Sequence, residues 1–157
     1  MMMIFLDSTI FVENYKGNNL LLDSLLEAKE NQESLELCYS GIVLNEFLFH
    51  YLGIEAEKSP LSVKQSKQIP EIMSRKLISD NLTPFSYLQD LPYFYVQVPP
   101  LMQLYNLLPS DAMILAICIS YEIKYLATLD SDLKTACFAE GIEIIDSPEK
   151  LQEMFLR

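Results

Sequence analysis

The chain has 157 residues, 50% of them hydrophobic and 21% charged, and 22 acidic against 11 basic side chains give a net charge of −11. That length suits one domain with a self-sufficient core, and that composition excludes a disordered chain. The acidic balance argues against a protein that coats nucleic acid through bulk charge, while an enzyme that meets phosphates through bound cations stays open.

Met2 to Leu6 is a continuous apolar run closed by a polar turn, the pattern of a parallel strand buried on both faces. From Leu20 to Glu33, Leu21, Leu22, Leu25, Leu26 and Ala28 follow helical spacing with acids between them. Leu35 to Tyr39 reads as a second strand. A helix is expected over Gly41 to Leu52, with Ser40 as N-cap and Gly53 as its stop. Residues 58–82 read as one or two polar-faced helices, opened or broken at Pro60 and Pro70. Tyr93 to Val98 is β-rich and closed by Pro99-Pro100, so it reads as a strand followed by a short helix through Leu107. Pro109-Ser110 opens a helix from Asp111 to Tyr121 that is apolar nearly all round and should be buried on most sides. A strand over Lys124 to Thr128, a helix over Asp132 to Ala139, a strand over Ile142 to Ile145 and a helix over Pro148 to Phe155 complete the chain. Strands separated by helices give an α/β class, with a parallel central sheet covered by helices on both faces.

Cys38, Cys118 and Cys137 are far apart in sequence, and His50 is the one histidine. A thiolate zinc site is thereby excluded, as is any Ser-His or Cys-His device not built on His50. The cysteines read as buried thiols of a reducing compartment. The start of the chain has no signal-peptide pattern and no apolar run reaches the ~20 residues of a membrane span. A soluble, cytoplasmic protein is expected.

In a parallel sheet, ligands bind beyond the carboxyl ends of the strands. Asp7 follows the first strand, and Asp130 follows the strand at 124–128 with Asp132 two residues on. Asp111 opens the apolar helix, at the positive end of its dipole. Glu46 is embedded in the apolar stretch Ile42-Val43-Leu44-Asn45-Glu46-Phe47-Leu48-Phe49, where an unpaired acid is costly to bury. Singly, each acid reads as a cap or a solvated side chain. Jointly, they gather at one edge, where like charges raise one another's pKa until a hard cation such as Mg²⁺ or Mn²⁺ relieves them.

Asp7-Ser8-Thr9 after an apolar strand, Glu46 in the helix after Ser40-Gly41, Pro109-Ser110-Asp111-Ala112 and Thr128-Leu129-Asp130-Ser131-Asp132 resemble the four acidic motifs of PIN-domain nucleases. Within that family the layout is most similar to the VapC-type ribonuclease toxins, and the resemblance runs from about Ile4 to Ile145. It implies a PIN-like fold of about five strands in a single domain, and a metal-dependent endonuclease that hydrolyses RNA. It further implies that Asp7, Asp111 and Asp130 hold Mg²⁺ or Mn²⁺ with Asp132 as an added ligand. Glu46 would position or deprotonate a water, while Thr9, Ser110 and Thr128 would orient the carboxylates. A homodimer restrained by a small antitoxin is implied as well. The competing reading is a catalytically silent PIN-fold module that binds nucleic acid or protein. An aspartyl-nucleophile phosphatase is a weaker third, because Thr9 stands where such enzymes place a second acid.

Lys58, Lys64, Lys67, Arg75 and Lys76 supply five of the 11 basic residues and are opposed over that stretch only by Glu71. They read as a phosphate-contacting segment or as an ordinary solvated helix face. His50 follows Glu46 by one helical turn and reads as a packed or surface histidine rather than a general acid.

Overall fold

The computed structural model describes residues 1–74 and 82–156. β1 (Met2–Leu6), β2 (Leu35–Ser40), β3 (Ser86–Leu88), β4 (Tyr125–Ala127) and β5 (Glu143–Ile145) form one parallel sheet, in the order β3-β2-β1-β4-β5. The register sets Ile4 beside Leu37 and Tyr125, and Phe5 beside Cys38 and Leu126. Ile4, Phe5 and Leu6 are all fully buried. Successive strand residues point to opposite faces, so both faces of β1 are covered, as its unbroken apolar run requires.

The helices among the described residues are α1 (Ser8–Tyr15), α2 (Leu20–Asn31), α3 (Gly41–Ala56), α4 (Pro60–Gln65), α5 (Ile69–Met73), α6 (Phe94–Tyr105), α7 (Pro109–Ser120), α8 (Lys134–Ala139) and α9 (Pro148–Phe155). α7 is the buried helix its composition demanded, with Ala112, Ile114, Leu115, Ala116, Ile117 and Cys118 all inside. Cys38, Cys118 and Cys137 are buried and free, and burial pushes the Cys38 and Cys137 thiols up to about 12. Among the described residues no single helix is long and apolar enough to cross a membrane, and the consecutive apolar helices α6 and α7 meet at 116°.

Three elements depart from the sequence expectation. The segment expected as a strand over Tyr93 to Val98 lies mostly within α6, which continues through Pro99 and Pro100. Phe94, Val98, Leu101, Met102 and Tyr105 pack on the core, a 3.6-residue stripe that outweighs the β preference of the aromatic side chains. The edge strand is instead the three-residue β3. α3 runs through Gly53 and stops at Glu57, which adopts φ 52°. Its extra turn is held by a small satellite core of Tyr51, Val63 and Ile72, and that packing outweighs the roughly 1 kcal/mol helix penalty of Gly53. Finally, the polar turn after β1 is the first turn of α1, capped by the Asp7 carboxylate accepting from the Ser8 N–H.

Candidate active site

From β1 the chain moves to β2 and β3 on one side, and it later returns to lay β4 and β5 on the other. β1 and β4 therefore flank the point where the strand order reverses, the usual ligand crevice of a parallel sheet. Asp7 leaves the carboxyl end of β1, and its N–H donates to Ala127 O at 3.0 Å. Thr128 and Asp130 follow the end of β4 directly. Asp111 sits in the first turn of α7, and Glu46 lies on α3 just beyond the end of β2.

These groups belong to one hydrogen-bonded network. Asp7 is buried, and its Oδ2 accepts from Thr9 Oγ1 at 2.8 Å and from Thr128 Oγ1 at 2.7 Å. Its Oδ1 accepts from the Ser8 N–H at 2.7 Å. Ser8 Oγ donates to Glu46 Oε2 at 2.9 Å, which ties α3 to the start of α1. Each threonine also accepts: Leu129 N–H donates to Thr9 Oγ1 and Asp130 N–H to Thr128 Oγ1, both at 3.1 Å. With their single protons given to Asp7, the two hydroxyls fix its carboxylate plane and steady the turn that carries Asp130. Asp130 Oδ1 in turn accepts from the Asp132 N–H at 2.9 Å.

Asp111 completes the set electrostatically. Burial first, and then the carboxylates of Asp130, Asp7, Glu46 and Asp132, push its pKa up to about 6. Asp7, Glu46, Asp111, Asp130 and Asp132 thus share one field. Their donor atoms are all oxygen, the set preferred by a hard divalent cation. The donor chemistry therefore fits, but among the described residues no three of these side chains stand in ion-binding geometry, so holding an ion would require side chains to move.

Two open clefts flank the network. One, of about 440 Å³, is lined by Ser8, Thr9, Val12, Glu13, Lys16, His50 and Leu129. The other, of about 420 Å³, has Tyr105, Asn106, Asp111, Asp132 and Thr135 in its wall. Ser110 is in the first turn of α7, but its hydroxyl makes no hydrogen bond to a described residue. The orienting expected of it falls to Ser8, which sequence reasoning missed although it sits inside the Asp7-Ser8-Thr9 motif. Lys16 was missed as well. Lys58, Lys64 and Lys67 line neither cleft, and Lys58 donates to Ser66 Oγ at 3.2 Å. Arg75 and Lys76 lie outside the described residues.

The PIN domain family model matches residues 4–139, from the heart of β1 to the end of α8. The chain belongs to the PIN-domain family. This PIN domain is 31% identical over 144 residues to Ribonuclease VapC2 of Methanocaldococcus jannaschii, covering 90% of this chain and 93% of that one. It is 28% identical over 154 residues to Ribonuclease VapC6 of the same organism, covering 89% and 96%. In fold it is similar to the crystal structure of VapBC2 from Rickettsia felis bound to a DNA fragment from their promoter. There the TM-score is 0.63 at 17% identity, over 92% of this chain and 100% of that one. PAE2754 from Pyrobaculum aerophilum gives 0.56 at 18% identity, over 96% and 93% of the two chains. These likenesses place the acidic network in the fold of a nuclease family.

Proposed function

We propose that this PIN domain is an endoribonuclease and the toxin of a toxin–antitoxin pair. The observation that carries this reading is the network joining Glu46, Ser8, Asp7, Thr128 and Asp130 across three separate chain segments, with Asp111 on a fourth repelled by the same carboxylates. Its support from relatives is the 31% identity to a ribonuclease over 90% of the chain.

Asp7, Asp111 and Asp130 would hold Mg²⁺ or Mn²⁺, with Asp132 as a further ligand. Such an ion, when bound, neutralises charge on the phosphate oxygens and makes water more acidic. Thr9 and Thr128 hold Asp7 in one orientation. Ser8 occupies Glu46 Oε2, which leaves Oε1 to orient the attacking water and take its proton. Lys58, Lys64, Lys67, Arg75 and Lys76 serve this reading as outer phosphate contacts. The chain acts as one catalytic domain in the cytoplasm, and as a homodimer. Phe49, 57% exposed on α3, is an apolar side chain that a second copy would cover.

An antitoxin fits the site for a simple reason. A cleft rich in carboxylates binds a guanidinium or ammonium strongly, and the related fold of VapBC2 comes from a complex whose name joins two components. The test is cleavage of structured RNAs by the purified protein with Mn²⁺, Mg²⁺ or chelator, beside Asp7→Asn. Cleavage that needs the divalent ion and vanishes in the variant supports the reading. Intact RNA under every condition would leave the silent PIN-fold module in its place.

A further inference from the structure

The two clefts beside the acidic network differ in charge, and the difference gives a substrate strand a direction. The cleft at Asp111 and Asp132 presents those two carboxylates, and Tyr105 in its wall donates to Glu140 Oε1 at 2.5 Å. None of its lining residues is a cation. The cleft between α1 and α3 contains Lys16 and His50 with a single carboxylate, Glu13. Ser8 and Val12 on α1 and Lys16 at its C-cap recur every four residues, and His50 stands one turn beyond Glu46 on α3. The two helices thus form a trough that starts at the carboxylates and ends at Lys16. From Ser8 to Lys16 the helix advances about 12 Å, the span of no more than about three phosphates of a strand.

Among the described residues Lys16 is engaged only by the half-buried Glu13 of its own helix. Its Nζ lies 3.0 Å from Glu13 Oε1, with the lysine side chain 50% exposed, and an ion pair of that kind contributes little. A phosphate can therefore take over the ammonium at small cost. Lys29, Lys134 and Lys150 pair with Glu36 or Asp146 and line neither cleft.

We propose that the strand of an RNA substrate lies in the α1–α3 trough, with Lys16 and His50 contacting phosphates on one side of the cut. The acidic cleft receives a single nucleotide on the other side. This rests on the ribonuclease reading, and it adds a polarity and two substrate-binding residues to it.

The test uses the full chain and two series of oligoribonucleotides, lengthened one nucleotide at a time on either side of the cut. Lengthening on one side alone should raise kcat/KM, at least tenfold over the first three nucleotides. Lys16→Gln and His50→Gln should each remove most of that gain, Lys16→Arg should keep it, and Lys124→Gln, outside both clefts, should match the parent. Binding of an oligonucleotide blocked at the cut gives a second readout: Lys16→Gln should flatten its salt slope by about 0.7. Equal gains on both sides, or a slope unchanged by Lys16→Gln, overturn the trough even if RNA is cut. A flattened slope without any cleavage retains the trough as a binding site and retires the ribonuclease reading.

Discussion

Asp111 has a carboxyl that burial and four neighbouring carboxylates hold at a pKa of about 6, above its usual 3.8. The folded protein thus binds this proton more tightly than the unfolded chain does. The resulting penalty is absent below about pH 4, grows between 4 and 6, and is complete above 6. Asp111→Asn removes the titration, so in chelator the variant should melt higher than the parent at pH 7.5, by well under the roughly 3 kcal/mol of the full shift, because solvent screens a half-buried carboxyl. The two should converge near pH 4. Thermal melts at both pH values decide the matter, and a variant less stable at pH 7.5 would contradict the shared field. A second residue tests burial alone. Tyr51 is buried with its hydroxyl unpartnered among the described residues, so Tyr51→Phe should stabilise by about 1 kcal/mol in denaturant unfolding. The acids were legible in sequence because strand ends and helix starts fix where they must emerge. Ser8 and Lys16 were not, since a serine beside a capping aspartate and a lysine ending a helix are ordinary features until the fold brings α3 alongside α1.

Among the elements, β1, β2 and α9 were readable because each carries its own pattern: unbroken apolar runs for the strands, and a proline-opened amphipathic turn pair for the helix. β3 carries none, as Ser-Tyr-Leu holds one neighbour at the sheet edge and only partly buries its side chains. α6 was misread because its aromatic start and its proline pair both argue against a helix, while the stripe it packs on the core lies further along. That conflict has a measurable consequence. Pro100 sits on an exposed part of α6, where it removes a helical N–H and disfavours the helical conformation that Pro99 adopts there. Pro100→Ala should therefore raise the stability of the chain by about 1–3 kcal/mol. Calorimetry or urea unfolding checks this, and a loss of stability would mean that the prolines set a bend the core requires.

At the scale of the whole molecule, the charge of −11 and the carboxylate network act in the same direction. Without a cation, general repulsion opposes compaction, and the local repulsion at Asp111 adds to it. Divalent and monovalent salts can be told apart on this basis. Sodium chloride screens the general term, while Mn²⁺ at matched ionic strength should also bind the folded site and be lost on unfolding. At 100 times its Kd that linkage contributes about 2.7 kcal/mol, or roughly 5–10 °C in Tm for a domain of this size. Protons compete for the same oxygens, so the increment should shrink below about pH 6, where Asp111 takes up its proton. Asp111→Asn, already relieved of its charge, should gain less from Mn²⁺ than the parent, although it starts from a higher Tm in chelator. Melting curves of both proteins in chelator, sodium chloride and Mn²⁺ separate the cases. If Mn²⁺ raised Tm no more than sodium chloride of equal ionic strength, the carboxylates would be a repulsive surface without a bound ion, and the metal-dependent reading of the site would fail.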